Sequence, residues 1–100
     1  MTVSSFESIR NLLHCAESRC IYQLNELAFQ NRPAWVEIER GLQFVDELKR
    51  VHFEALGLFL ANPCLYPGRA MSTVLKRSGA ILAESQLLME DILRKNHSRS

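Results

Sequence analysis

An excess of charge of either sign is missing from this chain. Twelve Lys and Arg stand against eleven Asp and Glu, a formal net charge of +1, so no global field draws it onto nucleic acid or an anionic membrane. Cysteine is scarce and odd in number. Cys15, Cys20 and Cys64 are irregularly spaced, which suits free thiols in a reducing compartment rather than a disulfide framework. On one helix, Cys15 and Cys20 point about 140° apart and cannot bridge each other. Glycine is short as well: of four, only Gly68 stands in an evident turn, so no glycine-rich loop is available to cradle phosphate. The opening MTVSSFESIR has neither the basic start nor the continuous apolar run of a secretory signal, which makes the cytoplasm the expected location.

Catalytic motifs are lacking too. No nucleophile elbow and no catalytic-cysteine signature occurs. Zinc sites present paired ligands two to four residues apart, twice over, whereas His14, Cys15 and Cys64 would meet only through tertiary folding. A di-metal carboxylate bundle needs Glu-x-x-His on a helix, and Glu37-Ile38-Glu39-Arg40 and Glu54-Ala55-Leu56-Gly57 both lack the histidine. The expectation is a non-enzyme without catalytic, metal or cofactor site.

What the chain does have is apolar material in helical rhythm. Hydrophobic residues make up 47% and charged residues 23% of 100 positions, enough to order one domain over residues 1–100 but not two cores. Residues Met1 to Ser4 and 96–100 read as loose ends. The first helix is expected over about 5–30, with Ser4 as cap and Glu7 reaching back to it. Its inward stripe is Phe6, Ile9, Leu13, Ala16, Cys20, Leu24 and Leu27, the a/d spacing of helix-on-helix packing. Asn11, Ser18 and Asn25 lie opposite, Leu12 widens the stripe on one flank, and Ile21 and Tyr22 fall outside it as a second contact.

Gln30-Asn31-Arg32-Pro33 ends that helix and begins the next, with Pro33 in its first turn. The second helix, about 33–62, has the stripe Trp35, Ile38, Leu42, Val45, Leu48, His52, Leu56 and Phe59, joined by a second one of Phe44, Val51, Ala55 and Leu58. Asp46 and Arg50 are spaced for an i,i+4 ion pair. His52 reads as a core histidine with a hydrogen-bond partner. Asn62-Pro63 stops the helix, and the prolines and glycine up to Gly68 make a stiff connection. The third helix, about 69–95, shows the cleanest stripe: Met71, Val74, Leu75, Ser78, Ile81, Leu82, Ser85, Leu88, Met89 and Ile92. There Ser78, Gly79 and Ser85 allow close approach of a neighbour.

Short connections between three long helices give an all-α, antiparallel three-helix bundle running up, down and up, open to dimerisation. One stretch resists placement. After Glu54 no charge appears until Arg69, and Ala55 to Ala61 is apolar on every side, a pattern that demands burial all round. It is too short for the roughly 20 residues of a membrane span. Leu56 and Phe59 find partners in Phe6, Ile9 and Met71. Leu58, Leu60, Leu65 and Tyr66 do not, and with Ile21 and Tyr22 they are the expected partner-binding residues.

The functional expectation is a protein–protein interaction module of the adaptor, inhibitor, immunity-factor or chaperone kind, homodimeric or paired with another protein. The alternative is a nucleic-acid-associated regulator using Arg69, Lys76 and Arg77 of the third helix and the basic end Arg94, Lys95, His97 and Arg99. Glu84, Glu90 and Asp91 interrupt that face, and long antiparallel helices do not offer the short recognition unit of DNA-binding helices.

Overall fold

The computed structural model describes residues 5–98. Three α-helices, α1 (Phe6–Phe29), α2 (Trp35–Ala61) and α3 (Gly68–Ser98), are joined by a short loop and by a single 3₁₀ turn at Pro63–Leu65. Each helix packs on the other two, and no strand occurs among the described residues. This is the expected all-α three-helix bundle. It measures 52 × 22 × 18 Å, a rod whose length is set by α3, 31 residues at about 1.5 Å each.

Helix ends follow local chemistry, not always as the sequence suggests. Ser5 caps α1, its side chain accepting from the Ser8 amide. The cap expected at Ser4 lies outside the described residues, and Glu7 turns outward to Arg10 at 3.2 Å. Pro33 precedes α2 instead of opening it: Ala34 takes the cap position without a side-chain bond, and its carbonyl accepts from the amides of Glu37 and Ile38. Asn62 does end α2, both its backbone amide and its side-chain amide donating to the Leu58 carbonyl. Residues 96–98, expected loose, continue α3. No described residue has positive φ, so the stiffness of the second turn comes from its prolines, and Gly68 begins a helix instead of bending the chain.

The core divides into two clusters. At the end near the first loop, Cys20, Leu24, Leu27, Ile38, Leu48, Leu82 and Met89 interlock, among others. The other end gathers Ile9, Leu13, Ala55, Tyr66, Met71 and Leu75, with Phe6, Leu56, Leu58 and Phe59 packed against them. The residues of the main inward stripes of α1 and α3 are buried or half-buried, whereas Leu12, expected to widen the α1 stripe, is 57% exposed. Gly41 leaves room on α2 for side chains of both other helices: a Cβ there would stand 2.6 Å from Met89 Cε of α3 and 2.8 Å from Leu27 Cδ1 of α1. On α3, Ser78 is fully buried and its Oγ lies 2.6 Å from His52 Nδ1.

Candidate interaction surface

The six expected contact residues separate on folding. Tyr66 is only 6% exposed. The 3₁₀ turn carries the chain back over the bundle end and places Tyr66 with Ile9, Leu13 and Met71, so it belongs to the core and not to a free surface. Leu58 is half-buried against the same cluster. Leu60 and Leu65 stay open, at 70% and 61%. Ile21 and Tyr22 are both exposed, but they sit on α1 near its middle, on different sides of it, and do not join the Leu60 end. Ile21 borders a shallow groove with Ile81 and Leu88 of α3.

A line of apolar side chains on α2 is the feature that the stripe assignment missed. Trp35 and Leu42, expected inward, are 56% and 38% exposed, and Phe53 is 53% exposed. The reason is angular. At about 100° per residue, Trp35 lies roughly a third of a turn from the buried line of Gly41, Val45 and Leu48. Trp35, Leu42, Phe53 and Leu60 share one arc of about 60° with Asp46 and Lys49, and extend over about 37 Å of helix. Their spacings of seven, eleven and seven residues are close to two, three and two whole helical turns, which is the signal that would have identified them. Burial of the α2 core face is already complete without them. Large apolar residues aligned along an otherwise polar surface mark contact sites.

Charge along this face is arranged differently from the expected i,i+4 pair. Arg50 turns to Glu54, at 3.6 Å, and not to Asp46. Asp46 and Lys49 are both exposed and make no ion pair among the described residues. Shallow depressions flank them, one bordered by Phe53 and Arg50, the other by Leu42 and Gln86.

Elsewhere the polar groups are tied to the fold. Ser78 donates to the Leu75 carbonyl at 3.1 Å. The tautomer of His52 that completes the pair donates from Nδ1 to Ser78 Oγ, and burial holds the imidazole below its ordinary pKa. This is the hydrogen-bonded core histidine expected from the sequence. Glu17 is 4% exposed, and its carboxyl is pushed above the usual range because burial outweighs the attraction of Arg77, 3.6 Å away, and of His14. Glu37 Oε2 is enclosed without a partner, in the first turn of α2, where the helix dipole favours a carboxylate. Cys20 is buried, its thiol pushed up by desolvation against a bond to Ser85, while Cys15 and Cys64 are exposed, and all three are free. Among the described residues no three His, Cys, Asp or Glu side chains gather as metal ligands, and no helix is long and apolar enough to cross a membrane.

The basic residues of α3 are partly engaged. Arg77 pairs with Glu17, and Arg94 and Lys95 both pair with Asp91 at 3.1 Å, an arrangement that lowers the Asp91 pKa through the Lys95 hydrogen bond and the two charges. Arg69 and Lys76 are exposed, and Arg99 lies outside the described residues. Compared with known protein families, with curated proteins and with solved structures, the chain matches none.

Proposed function

We propose that this chain is a non-enzymatic protein–protein interaction module whose contact surface is the outer face of α2, with Leu60 and Leu65 closing it at the turn. One observation carries the reading: Trp35, Leu42, Phe53 and Leu60 are aligned and exposed on a helix whose core face is separately filled. Aromatic and leucine anchors in a row are the material from which the energetic centre of an interface is built. Beside Leu42 and Phe53 the exposed neighbours Gln43, Asp46, Lys49, Arg50 and Glu54 are polar, as the rim of such a contact is. A cytoplasmic setting accords with the three free thiols.

Affinity capture from the source cells tests it, using the wild type beside Phe53→Asp and Leu60→Asp. Both side chains are exposed, so helical content by circular dichroism should stay unchanged. The expected result is a defined set of proteins retained by the wild type and lost with either variant. Recovery of the same proteins from all three baits would sink the reading. Nucleic-acid binding through α3 is the competing proposal, and a salt titration separates it: affinity for DNA or RNA that falls steeply with salt supports it.

A further inference from the structure

The outer face of α2 is self-complementary. Its midpoint lies between Glu47 and Leu48. Counted outward from there, Asp46 and Lys49 stand at equal distance on either side, then Leu42 and Phe53, then Trp35 and Leu60. Reversing the helix therefore sets acid against base and apolar against apolar at every step. Two apolar pairs and one acid–base pair thus share a single midpoint. From this we infer that the occupant of the α2 face is a second copy of the same chain, docked antiparallel about a two-fold axis at residues 47–48.

In that dimer Trp35 of one protomer packs on Leu60 of its partner, Leu42 on Phe53, and Asp46 pairs with Lys49, each contact occurring twice as an isologous interface requires. Several observations favour this occupant. Among the described residues Asp46 and Lys49 have no ion-pair partner, so each can answer the other across the axis. Depressions beside them, bordered by Leu42 and by Phe53, lie where the partner's Phe53 and Leu42 arrive. A net charge of +1 per chain leaves little long-range repulsion between two copies. Antiparallel helices also set each dipole's N-terminal end beside the partner's C-terminal end. Trp35, Leu60 and the neighbouring Leu65 belong to opposite ends of the monomer, and the reversal brings them to the same end of the dimer. The contact is a single helical stripe, narrower than obligate dimers use, so the association is reversible and depends on concentration.

The inference rests on the interaction reading above but fails separately from it. Sedimentation equilibrium of the full chain over a wide concentration range is the test, with Asp46→Lys and Lys49→Asp as variants. The wild type should dimerise. Each single reversal puts like charges together twice across the axis and should weaken dimerisation at least tenfold. Mixing the two variants makes both cross-axis pairs attractive again, and a 1:1 heterodimer should form with near wild-type affinity. The double variant should likewise recover as a homodimer. A wild type monomeric throughout overturns the proposal, as does a dimer indifferent to both reversals, or single variants that are monomeric and stay so when mixed. If the dimer fails in one of these ways while Phe53→Asp and Leu60→Asp still lose captured proteins, the α2 face serves a different partner and only the second-copy assignment falls.

Discussion

His52 and Ser78 set the behaviour expected at the residue scale. Burial holds the His52 imidazole below its ordinary value of 6.5, so the unfolded chain takes up this proton at higher pH than the folded one. Between the folded value and 6.5, stability therefore rises with pH; the contribution is complete above 6.5 and is lost as pH falls through that window. Thermal unfolding followed from pH 7.5 to pH 5 should show a steeper acid loss for the wild type than for His52→Gln, and equal slopes would refute the assignment. Ser78→Ala strands Nδ1 in a half-buried position, at an expected cost of about 1–3 kcal/mol in urea denaturation. Glycines give a second contrast. A Cβ at Gly57 meets nothing within 4 Å, so Gly57→Ala should add about 0.5–1 kcal/mol by helix propensity alone. Gly41→Ala has the same propensity gain but must displace Met89 and Leu27, and its stability should fall below that of Gly57→Ala by about 1 kcal/mol or more.

At the scale of the element, α2 carries two faces with different energetic weight. Leu48 is fully buried, and Leu48→Ala should cost about 2–5 kcal/mol. Leu60→Asp, on the outer line, should change the stability of the dilute protein by no more than about 0.5 kcal/mol. Chemical denaturation of both variants at low concentration checks the pair, and a large loss at Leu60 would make it a core residue. How far these faces were legible in the sequence varies by helix. The stripes of α1 and α3 follow from spacing alone, because each helix packs one broad face inward. On α2 the apolar residues nearly encircle the helix, so periodicity merges two directions: Leu56 and Phe59 inward, Trp35, Leu42, Phe53 and Leu60 outward. Only the positions of the other helices decide between them. Tyr66 finds no partner by spacing, because its burial depends on the fold bringing Ile9 and Leu13 of α1 to the end of the second turn. The Glu17–Arg77 pair and the tight approach at Gly41 are likewise products of long-range register, which local spacing does not encode. Ion pairs within α2 were ambiguous in the sequence, since Arg50 has acidic residues four positions away on both sides.

For the whole molecule, the deciding property is whether the outer face of α2 becomes covered in solution. The bundle packs a core of its own, yet it leaves an apolar line about 37 Å long on one helix. The chain has a single tryptophan, and it stands at one end of that line. Acrylamide quenching of Trp35 fluorescence as a function of protein concentration is thus the most direct measurement. In dilute solution Trp35 should be readily quenched, in keeping with its 56% exposure. As concentration rises through the dimerisation range, quenching should fall and the emission maximum shift to the blue. Asp46→Lys and Lys49→Asp should each lack that transition alone and regain it when mixed. Trp35 quenching and emission that stay constant across the range in which sedimentation shows dimer would contradict the account, because the dimer would then be built on some other face.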